Sequence, residues 1–193
     1  GMVRHSGLDH RKLLIVDSTI SYIGGYNIGQ LYADHWRDTH IRLSGPQSWE
    51  LENAFIDMWN THRPRGEERL TDRGTSEWSS SLRAVQNLPA RLSYPIRSIY
   101  LDSVDRASSR AWITMGYFIP DRDVQATLIA AAKRGVDVRV LIPEYSNHIV
   151  ADWAGRPSYQ GLLEAGVRIF LFEGAMVHSK TLTVDGKLST VGT

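Results

Sequence analysis

The chain has 193 residues, 22 Lys+Arg against 21 Asp+Glu, a formal charge of +1 at pH 7 and 42% hydrophobic content. That length and apolar content fit one domain, or one and a fraction, with a real core, and argue against a disordered chain. The near balance of charge disfavours a strongly basic nucleic-acid groove, and the absence of cysteine removes disulfides, thiol nucleophiles and thiolate metal sites.

In chain order, Gly1-Met2 reads as an expression remnant, so the chain is expected to be part of a longer protein. The opening residues form no signal peptide, and no apolar run reaches the roughly 18 residues of a membrane span. Residues 12–16 are predicted to be a buried strand entered from His10. Residues 19–23 form a second strand closed by Gly24-Gly25, and 40–43 a third ended by Gly45-Pro46. Residues 48–59 carry Leu51, Ala54, Phe55, Met58 and Trp59 at helical spacing. Residues 61–92, with RPRGEER and DRGTSEWSSS, read as a linker or irregular region. The pattern then becomes helix 99–109, strand 111–115, helix 124–133 stopped by Gly135, and strand 136–142. A helix ending over 159–165 and stopped by Gly166, strand 167–172, strand 177–184, a turn at Asp185-Gly186 and a short strand to Val191 complete it. Such alternation predicts an α/β fold, a sheet with helices on its faces.

One internal repeat carries the chemistry. The segment from His10 to Gly24 aligns with that from His178 to Gly192 at a constant offset. His10/His178, Lys12/Lys180, Leu14/Leu182, Val16/Val184, Asp17/Asp185, Ser21/Ser189 and Gly24/Gly192 are identical pairs. In a strand, residues i and i+2 share a face, so each unit presents an imidazole beside an ammonium, a pair suited to a phosphate diester. Asp17 and Asp185 lie past the strand ends, where a turn role is more natural than substrate contact. Two histidines and two lysines fit double displacement at phosphorus. A neutral histidine attacks to form a phosphohistidine, and the other, protonated, gives its proton to the leaving alcohol. The lysines neutralise the nonbridging oxygens, so this chemistry needs no metal and no cofactor. The sequence offers no HExxH, no paired cysteines and no dense carboxylate cluster.

HRKLLIVD and HSKTLTVD resemble the two HxKxxxxD motifs of the phospholipase D superfamily, and YIGGYNIG and STVGT resemble the GGxN portions that follow them. YIGGYNIGQLY, HWRDTHIRLSGP, GYFIPD, AAKRGVDVRVLIP and LLEAGVRIFLFEGAMVHSK extend the resemblance to bacterial cardiolipin synthases of this type. It implies a phospholipase D-like α/β/α sandwich in a partial two-repeat arrangement. Residues 1–60 would be the C-terminal part of the first repeat, 61–95 a linker or irregular region, and 96–193 the N-terminal part of the second repeat with its HxK motif. It implies His10 and His178 as the catalytic pair, with His10 the nucleophile, and Lys12, Lys180 and Asn27 as phosphate-binding groups. Gly24 and Gly25 would allow close backbone approach, and Asp38 would hydrogen-bond the first histidine. By the same pattern the carboxylate partner of His178 is missing from this chain. Relatives carry a strand–helix region of roughly 100 residues before the first motif. Here nine residues precede His10, and the asparagine matching Asn27 would fall past Thr193.

The resemblance points to phosphatidyl transfer, with phosphatidylglycerol as substrate. Hydrolysis by a phospholipase D or a nuclease, and a non-catalytic fragment prone to self-association, stay open beside it. Nucleic acid is the less favoured partner. The enzyme would work at a bacterial cytoplasmic membrane, reached through segments outside this chain. His5, His35, His40 and His62 read as surface or packed residues, and His148 stands where it could line the mouth of the site. Trp36, Trp49, Trp59 and Trp112 read as core, Arg139 and Lys133 as solvated.

Overall fold

The computed structural model describes residues 9–72, 81–88 and 92–193. His5, and residues 73–80 and 89–91 of the expected linker, lie outside the described residues. The described remainder of 63–94 carries no helix and no strand, only a bridge between Leu88 and Ser93.

The first sheet is an antiparallel meander of β1 (Leu13–Val16), β2 (Ile20–Gly24) and β3 (His40–Ser44) in that order. Its register sets Leu13 opposite Ile23 and Gly24 opposite His40. The β1–β2 turn needs a left-handed backbone at Asp17 and Ser18, where short polar side chains tolerate positive φ. Between β2 and β3 lies a one-turn helix, α1 (Gln30–Asp34), that its five residues hid from periodicity. The helix α2 (Ser48–His62) packs on β1 and β2, burying Leu51, Ala54 and Ile56, and runs one turn further than its apolar pattern indicated.

The second sheet has five strands in the order β6-β5-β4-β7-β8, namely β4 (Arg110–Met115), β5 (Asp137–Pro143), β6 (Arg168–Phe172), β7 (Lys180–Val184) and β8 (Leu188–Val191). β4, β5 and β6 are parallel, and β7 runs antiparallel to both β4 and β8. The parallel strands require crossovers, which the helices supply. α4 (Arg122–Lys133) joins β4 to β5, α5 (Ile149–Gly155) and α6 (Tyr159–Glu164) join β5 to β6, and α3 (Pro95–Asp105) precedes β4. α4 starts where the Asp121 carboxylate accepts the amides of Asp123 and Val124, and Gly135 with φ +90 ends the segment that follows it.

α3, α4 and α6 cover one face. There Val104, Leu128 and Leu162 meet Ala111, Ile113, Val138, Val140, Ile142 and Leu182 from the sheet, so the strict alternation of β5 becomes an inside and an outside. The outward residues of β4 and β5 lie on the opposite face, in keeping with the α/β class the sequence predicts. Trp112 belongs to that face rather than to the core. It is 38% exposed, with the Arg110 and Arg139 guanidiniums 5.1 and 4.8 Å from its ring.

Two element boundaries differ from the sequence pattern for identifiable reasons. The helix expected over 99–109 is displaced to Pro95–Asp105. Pro95 fits the first helical turn, and the Asp185 carboxylate takes the amides of Ser108, Ser109 and Arg110 away from any helix. The strand expected from 177 begins only at Lys180, because Val177 and His178 bond the Arg37 segment instead. No helix among the described residues is long and apolar enough to cross a membrane.

Leu182 is fully buried on a strand paired on both sides. Leu182→Ala should cost about 2–5 kcal/mol of folding stability, read as a lowered midpoint in urea unfolding with an unchanged m-value.

Candidate active site

The two sheets meet end to end at one short backbone bridge. Arg37 donates its amide to the Met176 carbonyl at 2.8 Å, and His178 donates its own to the Arg37 carbonyl at 2.7 Å. The bridge is parallel, so the next residue in one segment, Asp38, is delivered beside His178 of the other. His178 Nδ1 lies 2.9 Å from Asp38 Oδ2, and the two side chains are 6% and 0% exposed. An ionised carboxylate only accepts, so Nδ1 carries the proton of this pair, and Nε2 stands 3.0 Å from the Lys180 ammonium. Asp38 therefore partners the second histidine, not the first, and the carboxylate expected to be missing for His178 is present. The pairing spans 140 residues, a relation that motif spacing cannot carry.

The carboxylate is built in from several sides. Thr39 donates its amide to Asp38 Oδ1 at 2.7 Å, and the Thr39 hydroxyl donates to Ser179 Oγ at 3.0 Å across the sheet junction. A Cβ on Gly25 would sit 2.4 Å from both Asp38 oxygens. The close approach that Gly25 permits is thus to a side chain of this chain. Gly24 is needed against Thr39 and His40, whose carbonyl oxygen and Cα would stand 2.2 and 2.6 Å from its Cβ. Gly116, at the end of β4, lets the Val177–His178 backbone pass at about van der Waals distance.

Both HxK units converge here. Lys180 Nζ lies 3.0 Å from each ring nitrogen of His178, and Lys12 Nζ 2.8 Å from His10 Nδ1. Thr193 Oγ1 donates to the His10 carbonyl at 3.4 Å, tying the end of the second unit to the start of the first. Burial, then the positive charges of Lys12, Lys180 and His178, push the exposed His10 below its ordinary pKa. Burial also lowers Lys12, against the pull of Asp38. Lys180 falls furthest, to about 8, through burial and the Lys12 charge, with Asp38 opposing. Four basic side chains and one carboxylate make a cluster that favours an anion.

Three rings wall the His178 imidazole. Trp36 lies 5.4 Å away, and Tyr32 and Tyr117 stand edge-on at 5.7 and 6.0 Å. Sequence reading missed Tyr32 and Tyr117 and placed Trp36 in the core. The adjacency of Tyr32 and Trp36 at helical spacing was the available signal. Asn27 is not aimed at an open site: its amide donates to the Tyr32 hydroxyl at 2.6 Å. The His148 ring lies tilted against Tyr117, with 5.5 Å between centroids. His35, His40 and His62 are exposed.

The two aspartates of the motifs are placed elsewhere. Asp17 and Asp185 lie at the far ends of β1 and β7, on the order of 20 Å along the strand from their histidines. Both hold left-handed turns. Asp185 accepts from three amides and from the Ser108 and Ser109 hydroxyls, and these bonds hold its carboxyl far below the usual range. Among the described residues no group of three or more His, Asp or Glu is arranged to hold a metal ion.

With the geometry in place, likeness to known proteins becomes informative. Residues 100–193 match the family described as "Cardiolipin synthase, PLD-like domain". The chain belongs to the phospholipase D superfamily. Within it, a cardiolipin synthase of Listeria monocytogenes is 34% identical over 96% of this chain and 40% of its own length. Cardiolipin synthase 2 of Staphylococcus epidermidis is 32% identical over 99% and 41%. The chain thus spans about two fifths of these relatives. The solved phosphatidylserine synthase of Haemophilus influenzae shares the fold, with a TM-score of 0.57 and 15% identity over 91% of this chain and 51% of that one.

Two outcomes follow for the pair and for Lys180. In Asp38→Ala, nitrogen-15 NMR should show His178 losing its fixed Nδ1–H tautomer for a mixture. Folding lowers the Lys180 pKa from 10.5 to about 8. Below about 8 the ammonium is present and binds an anion; above it, affinity for inorganic phosphate should fall toward tenfold per pH unit, measured by calorimetry. Between about 8 and 10.5 the unfolded chain holds a proton that the folded one has released, so this group makes stability rise with pH there.

Proposed function

We propose that the site performs phosphatidyl transfer through a phosphohistidine, converting two phosphatidylglycerols to cardiolipin and glycerol. The observation that carries this reading is the meeting of both HxK units in one anion-favouring cluster, with a single buried carboxylate on one histidine only. The relatives named cardiolipin synthase support the choice of lipid.

The asymmetry supports a division of roles. His10 has its pKa lowered, so it is neutral near pH 7 and has a lone pair to give. It attacks phosphorus as the bond to the first glycerol breaks. His178, held by Asp38 through Nδ1, enters this step as the imidazolium and gives that glycerol the proton of Nε2. It then takes the proton from the hydroxyl of the second phosphatidylglycerol, whose oxygen displaces His10 from phosphorus. Lys12 and Lys180 balance charge on the nonbridging oxygens throughout. The rings of Tyr32, Trp36 and Tyr117 keep the imidazole of His178 from turning and thin the water around it.

Acid quench of turnover with phosphorus-labelled phosphatidylglycerol should trap acid-labile label on His10, and none in His10→Ala. His178→Ala should form or release the adduct about 10²–10⁴-fold more slowly. Active protein with no adduct would overturn covalent catalysis, and phosphatidic acid in place of cardiolipin would make water the acceptor. Gly25→Ala, which displaces Asp38, should lower kcat about 10²-fold with little change in KM.

A further inference from the structure

Next to the rings around His178 stand apolar side chains that no described residue covers. On one side, Ile28 is fully exposed and Leu31 is 53% exposed, just before Tyr32 in α1. On the other, beyond Tyr117 and His148, Tyr145 is 73%, Val150 79% and Trp153 71% exposed. Trp153 shares an open cleft of about 400 Å³ with Arg156 and Pro157. Large apolar side chains scattered singly need no explanation, but these bracket one site from both halves of the chain.

We propose that these two rims are a bilayer-docking surface that seats the site on an anionic phospholipid leaflet. The proposal rests on the phosphatidyl-transfer reading. Two features favour a bilayer over a protein partner. The rims hold Trp and Tyr with aliphatic residues and an arginine, the composition that settles at the boundary of headgroups and acyl chains. Between the rims lie the ammonium groups of Lys12 and Lys180, each beside its histidine, complementary to a phosphate and to the negative surface potential of such a leaflet. A phospholipid can then lift its headgroup toward the histidines while its acyl chains stay in the membrane. Contact with the membrane is thereby made by this chain itself, whatever anchors lie outside it.

Cosedimentation of the chain with vesicles tests it. The chain should bind vesicles of phosphatidylcholine mixed equally with phosphatidylglycerol and bind pure phosphatidylcholine much less. A triple variant, Tyr145→Ser with Val150→Ser and Trp153→Ser, should lose about tenfold in partitioning while keeping its melting temperature. Ile28→Ser with Leu31→Ser, on the other rim, should show a smaller loss. The triple variant should turn over short-chain, monomeric phosphatidylglycerol at the unaltered rate but fail on vesicles. Wild-type chain that ignores anionic vesicles, or variants that bind equally well, would overturn the docking surface. So would an oligomer in sedimentation velocity that the triple variant dissolves, since the rims would then join copies of the chain. Vesicle binding through the rims without turnover of either substrate would support docking and remove the catalytic reading instead.

Discussion

The Asp38–His178 pair is the contact on which the site depends. A carboxylate with no solvent exposure is tolerable only if charge or hydrogen bonds meet each oxygen. Here the Thr39 amide meets one oxygen and the His178 imidazole the other. The Arg37–Val177 backbone bridge sets the separation of the two segments, the Thr39 and Ser179 hydroxyls bond across the junction, and Gly25 leaves the space. The energy holding the sheets end to end and the energy orienting the catalytic imidazole are therefore the same few interactions.

The repeat is symmetric in sequence and asymmetric in surroundings. His178 is buried, ringed and paired, whereas His10 is exposed beside three positive groups. The lysines differ likewise, Lys180 being pushed down to about 8 by its burial and its neighbours. At the other end of the strands Asp185 clamps the start of β4 through five hydrogen bonds, while Asp17 turns beside α2 and the Leu70–Asp72 segment. The same residue types thus stand in two different environments, a contrast of the kind that pushes paired titratable groups apart.

Much of this was legible in the sequence, and the limits have physical causes. The HxK spacing reads as a shared strand face because the period of an extended chain is two, and the strands and long helices follow from their apolar periods. The partner of Asp38 was misread because a hydrogen bond across 140 residues leaves no local pattern. Tyr32 and Tyr117 escaped because a five-residue helix and a loop have no period to detect. Trp112 looked like core because indole is apolar, but it sits on the outward face of the sheet, where two guanidiniums supply its contacts.

The separation of Asp38 from His178 also has a consequence for how the molecule comes into being. Contacts this distant along the chain are the slow ones to form, since the entropy of closing the loop must be overcome first. During synthesis the meander and α2 emerge long before β7, so Asp38 waits in water as an ordinary solvated carboxylate, and its burial belongs to the last step. The chain can acquire a histidine fixed by that carboxylate only when its second half has folded onto its first.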